Sequence, residues 1–224
     1  MKTKYIIISS LAACIFLYFA EQVIMADYIS KTLVKILLFV IIPCIYIRFI
    51  KKSTLKEFIN YNKIGKQHLK ISILLGAVSF LIIFLTFRLT KNIINLQDIA
   101  GELENKSKIT PENFAFAGLY ITFGNSFLEE FFFRGFIFLN LYESKLKKAA
   151  YVYSSLLFAL YHIAIFKTWF SIWLTMLSLA GLIIIGFIFD WLDTKSQNFV
   201  NSWIVHIFSD SAIILIGLKM FMII

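Results

Sequence analysis

The chain has 224 residues, 60% of them hydrophobic and 16% charged, with 22 Lys and Arg against 13 Asp and Glu, a net charge of +9 and a mean hydropathy of +0.82. A soluble globular domain carries about a quarter charged residues, so an ordinary soluble protein is excluded and a single integral-membrane domain over 1–224 is expected. The positive balance does not argue for nucleic acid, because the lysines lie between apolar runs, where the charge bias of cytoplasmic loops puts them. Cys14 and Cys44 both fall in apolar runs and show no metal spacing and little support for a disulfide.

In chain order, Lys2 and Lys4 precede an apolar run to Ala20. The basic start and Leu11-Ala12-Ala13-Cys14 resemble a signal peptide with a lipoprotein box, but the run stays apolar beyond Cys14, so it reads as a first span over about 5–20. A second span covers about 33–50. Lys51, Lys52, Lys56, Lys63, Lys66 and Lys70 follow with Glu57 as the one acid, the strongest cytoplasmic signal in the chain. A third span covers about 71–89, with Arg88 free to reach the interface. The connection 90–112 is mixed in charge and reads as an external loop. The fourth span runs from Phe114 to about Tyr142, and Lys145, Lys147 and Lys148 follow it. Spans over about 149–166, 169–191 and 199–218 complete an all-α polytopic bundle of about seven transmembrane helices with a cytoplasmic N-terminus.

The fourth span holds Phe127-Leu128-Glu129-Glu130-Phe131-Phe132-Phe133-Arg134-Gly135. A charge inside a bilayer costs roughly 3 kcal/mol on insertion scales, and such residues either pair or face a wet cavity. Glu130 and Arg134 are an i,i+4 pair in the favourable order and read as neutralising one another. Glu129 points about 100° away and has no evident partner on its helix, so it carries the stronger functional reading. His162 lies in the fifth span; His206 and Asp210 lie four apart in the seventh and share a face. Counted from the cytoplasmic side, Glu129 and His162 lie about 13 residues, roughly 20 Å, inside their spans, and His206 and Asp210 roughly 10–17 Å inside theirs. Taken singly, an intramembrane His is as readily an interhelical hydrogen bond; at one depth, the set points to a catalytic cluster, open to water from the cytoplasmic side. Asp190, beside Trp191 at a span end, reads as interfacial, and Phe131–Phe133 as packing or lipid-facing.

These residues resemble the CPBP family of intramembrane proteases (CAAX prenyl endopeptidase and bacteriocin-processing, also called Abi), whose signature is E-E-x-x-x-R, F-x-x-x-H and H-x-x-x-N or D on separate helices. Here they are Glu129-Glu130-Phe131-Phe132-Phe133-Arg134, Phe158 to His162, and His206 to Asp210. The resemblance covers about 114–218 as the catalytic helices. It implies an intramembrane endopeptidase in which Glu129 is general base, His162 shares or orients the proton, and His206 with Asp210 polarises the carbonyl, while Glu130 and Arg134 support them. Asp210 is the less convenient choice for that role, since an ionised carboxylate only accepts hydrogen bonds. Glu129, His162 and His206 are also the ligand types of a catalytic zinc, and metal-free glutamate chemistry is equally compatible. The implied partners are a peptide or protein substrate in the membrane and the lipid bilayer, with no nucleic acid and no known oligomer; the implied location is the plasma membrane of a bacterium. An ion- or proton-coupled transporter uses similar residues as a relay, but internal repeats and Gly/Pro-broken spans are not evident. A non-catalytic scaffold or bacteriocin-immunity protein has no need of Glu129 and both histidines together.

Overall fold

A computed structural model describes residues 2–59 and 65–223; Lys63 of the basic loop lies outside the described residues. No strand occurs among the described residues. Among them six helices are long and apolar enough to cross a bilayer: α1 (Lys2–Gln22), α2 (Tyr28–Lys51), α4 (Lys66–Thr90), α7 (Lys147–Phe166), α8 (Ile172–Ser196) and α9 (Val200–Met220). The expected fourth span is a continuous helix over 114–143, here α6, whose acids set it apart from the apolar six. Two short helices occupy connections, α3 (Leu55–Ile59) and α5 (Leu96–Glu102). The second is a departure from the sequence reading, because 90–112 is not wholly irregular: Asn95 accepts from the backbone N–H groups of Gln97 and Asp98 and caps α5.

Local chemistry sets the helix starts. Asp27 caps α2, accepting from the Ser30 backbone at 3.0 Å and the Ser30 hydroxyl at 2.8 Å, and these bonds hold its carboxyl below the usual range. Thr54 and Glu57 form a reciprocal capping box at α3, Glu57 N–H donating to Thr54 Oγ1 and Thr54 N–H to Glu57 Oε2. Pro43 lacks the N–H of a regular helix, and α2 carries it between two wide, π-type stretches at Leu37–Ile41 and Tyr46–Lys51.

Side-chain contacts sort the connections onto two faces. On one, Lys51 Nζ reaches Asn140 Oδ1 and Glu143 Oε2, both at 2.9 Å, joining the end of α2 to the end of α6, while Asn198 donates to the Ile59 carbonyl. On the other, Lys31 meets Glu21 at 2.8 Å and Ser107 at 3.3 Å, and Lys167 meets the Tyr18 hydroxyl at 3.0 Å. The lysine-rich segments 51–59 and 143–148 therefore share a face.

The core sits around α6, where every residue from Glu129 to Leu141 is buried. In lipid the helices gain little by leaving an equally apolar solvent, so close packing has to hold the bundle. Phe132 stacks on Phe39 of α2 with centroids 4.0 Å apart, and Phe133 meets Phe158 and Tyr161 of α7 at 5.3 and 5.5 Å. Each such pair contributes about 0.5–1.5 kcal/mol beyond its buried area. Phe131–Phe133 are thus core and not lipid-facing. Helices α4 and α9 approach closely at Gly76, where a Cβ would stand 2.6 Å from the Phe208 ring.

Candidate active site

Glu129 and Glu130 end an α-helical turn of α6, and the wide stretch Phe131–Phe138 follows at once. Such π-type winding is often found at functional sites. The two carboxylates point to different neighbours. Oε1 of Glu129 accepts from Lys35 Nζ at 2.9 Å, Asn125 Nδ2 at 2.9 Å and the Tyr161 hydroxyl at 3.4 Å. Oε2 is buried with no hydrogen-bond partner and faces two imidazoles, His162 Nε2 at 3.6 Å and His206 Nε2 at 3.8 Å.

Backbone and side-chain partners orient both rings. His162 Nδ1 lies 2.8 Å from the Phe158 carbonyl one turn earlier; a carbonyl only accepts, so Nδ1 carries the hydrogen and Nε2 of the neutral ring presents its lone pair. His206 Nδ1 lies 2.8 Å from Glu130 Oε1, which turns Nε2 toward Glu129. Asp210, one turn beyond on α9, brings Oδ1 to 3.6 Å from His206 Nε2, and its Oδ2 is buried without a partner. Glu129, His162, His206 and Asp210, on three helices, thus stand around one point. Glu129 is 1% exposed, but His162 and Asp210 keep 16% and 11% of their side-chain surface open.

Behind this lies an enclosed charge network. Arg134 Nη1 donates to Glu130 Oε1 at 3.2 Å, as the i,i+4 spacing leads one to expect. Its guanidinium lies over the Phe158 ring at 4.0 Å and the Phe189 ring at 4.9 Å, contacts that suit a planar cation. Asp190 is not interfacial: it is fully buried, with Oδ1 3.6 Å from Arg134 Nε, and it accepts from Ser154 and Ser155, each at 3.1 Å. The reason is that α8 continues to Ser196, which carries Asp190 inward of the helix end. Asp193, also fully buried, accepts from the Ser202 hydroxyl at 2.8 Å.

Two contacts of Glu129 depart from the sequence reading. Asn125, one turn earlier on the same helix, is a partner on its own helix, and i,i+4 spacing was the available signal. Lys35, near the start of the expected second span, reads in the sequence as part of its flank; a lysine within a span is itself a signal. The helices are staggered, so the centre lies at different distances from their ends. His162 is about 4 residues, roughly 6 Å, from the end of α7 at Phe166, and His206 about 6 residues, roughly 9 Å, from the start of α9 at Val200.

The donor types suit zinc, whose ligands lie about 2.0–2.2 Å from the ion. The arrangement does not: among the described residues no group of three or more His, Cys, Asp or Glu is placed to hold a metal, and an ammonium already holds one oxygen of Glu129.

Neither curated proteins nor solved structures give a match to the chain. Residues 111–212, which hold all three motifs and the whole of this centre except Lys35, match the model of the family described as Type II CAAX prenyl endopeptidase Rce1-like, and over that segment the chain is similar to this family.

Proposed function

We propose that this protein cleaves peptide bonds in or beside the membrane with a water molecule activated by Glu129. The observation that carries the reading is the bare Oε2 of Glu129, facing imidazole nitrogens from two other helices at 3.6 and 3.8 Å. Oε2 and the lone pair of His162 Nε2 are two acceptors around one point that call for a shared donor, and separations beyond 3.5 Å suit a bridging water. In the reaction Oε2 takes one proton from that water as its oxygen bonds to the scissile carbonyl carbon, and the proton is then delivered to the departing amine nitrogen as the C–N bond breaks. His162, its ring fixed by the Phe158 carbonyl, orients the water. His206 meets the oxyanion; when charged it donates from both nitrogens, Nδ1 to Glu130 and Nε2 to the developing oxygen anion. We assign Asp210 the role of a counter-charge to His206, supported by the 3.6 Å between Asp210 Oδ1 and His206 Nε2, rather than that of a second donor.

The substrates we favour are membrane peptides of the kinds such enzymes serve: prenylated C-terminal peptides, or bacteriocin and pheromone precursors. The lysine-rich face is assigned to the cytoplasm, with the N-terminus on the same side, in the plasma membrane of a bacterium. Labelling of single cysteines in 51–70 or 143–148 from outside intact cells contradicts that assignment. The functional test compares membrane peptides in cells carrying wild type or Glu129→Gln: the reading expects intact precursors to accumulate in the mutant, and identical peptide sets overturn it.

A further inference from the structure

We infer that Lys35 is a positioning residue of this reaction, whose ammonium holds Oε1 of Glu129 so that Oε2 stays turned toward His162 and His206. The inference rests on the proposed function and concerns a residue outside the three motifs and outside the matched segment 111–212. Lys35 lies about 7 residues, roughly 10 Å, from the start of α2 at Tyr28. A lysine so placed is able to run its stem along the helix and put its charge at the interface. It does not: it is 9% exposed, and its ammonium donates inward to Glu129 Oε1 and Asn125 Oδ1. The Tyr161 ring lies 5.0 Å from that ammonium and the Phe39 ring 5.8 Å, and Phe39 is itself fixed against Phe132.

The division of charge supports a specific role. Each of the two adjacent carboxylates has its own cation, Arg134 for Glu130 and Lys35 for Glu129. Arg134 is sealed behind the centre, whereas Lys35 comes from α2 and, of the two oxygens of Glu129, holds the one that does not face the imidazoles. All three donors to Glu129, Lys35, Asn125 and Tyr161, fall on Oε1. A carboxylate held by one oxygen keeps the other fixed in direction, and a base misplaced by about 1 Å loses about a hundredfold in rate.

The experiment uses the full chain in lipid nanodiscs and a membrane peptide whose cleavage in cells depends on Glu129. Lys35→Met is expected to lower kcat about a hundredfold with KM within about threefold, since the loss falls on the transition state and not on binding. Lys35→Gln keeps an N–H donor for Oε1 without the charge and is expected to be at least about tenfold faster than Lys35→Met, because part of the geometry survives. Wild-type kcat in Lys35→Met overturns the inference; Lys35→Gln as slow as Lys35→Met also overturns it, since the lysine then serves only to balance charge. Should Lys35→Met not accumulate, Asn125→Leu removes a second donor without stranding a charge. It is expected to lower kcat about tenfold, and an unchanged kcat overturns the inference. If Glu129→Gln kills cleavage while Lys35→Met spares it, the inference alone fails; if no peptide depends on Glu129, the proposed function fails and takes the inference with it.

Discussion

Glu129 and Glu130 are neighbours in one helix, yet they stand in different environments. Glu130 is fully buried, with Arg134 beside it, the rings of Phe158 and Phe189 over that guanidinium, and Asp190 beyond. Glu129 is nearly as buried but borders His162, which reaches the surface, and His206, beside which the partly open Asp210 stands. Both carboxylates leave one oxygen without a hydrogen bond, so an unpaired oxygen alone does not mark a site. What separates them is what the free oxygen faces and whether anything can reach it. One carboxylate is enclosed in a charge network that fixes His206; the other is held by one oxygen and presents the second to two imidazoles.

The largest expected effect breaks the enclosed side. Arg134→Ala strands Glu130 and Asp190 and is expected to cost about 3–5 kcal/mol, enough to lose folded protein as well as activity; accumulation at the wild-type level in membranes contradicts the account of that network. The open side behaves differently. His162→Ala and His206→Ala are each expected to remove most cleavage, by about a hundredfold or more, and the double mutant to be little worse than the worse single one, because groups acting as one unit are not additive. Multiplying losses in kcat/KM dissolve the cluster into independent parts. A smaller effect is expected where a charge pair lies outside both regions: Glu143→Ala removes the partially exposed contact with Lys51 and is expected to cost under about 1 kcal/mol in thermal unfolding. The smallest is none: a chelator of divalent metals is expected to leave cleavage unchanged, and loss of activity restored by zinc would show that the side chains rearrange around an ion.

The contrast between the two carboxylates was only half legible in the sequence. The three motifs picked out Glu129, His162, His206 and Asp210 because ionisable groups are conspicuous in apolar helices, and the spans were legible from the same contrast. Asp190 was misplaced because its neighbour Trp191 resembles an interfacial anchor, while the helix in fact runs on to Ser196. Lys35 escaped because one lysine near the start of a span reads as part of its flank until the helix is seen to turn it inward. The direction of each carboxylate depends on the packing of α2, α7 and α9 against α6, which no local spacing encodes.

The most direct test of the central claim, that Glu129 activates water, is single-turnover cleavage by purified protein in nanodiscs in oxygen-18 water, with Glu129→Gln beside wild type. The account predicts one labelled oxygen in the new carboxyl terminus of the wild-type product, and no product from a Glu129→Gln protein that accumulates and unfolds like wild type. Labelled product formed by Glu129→Gln at the wild-type rate would contradict it.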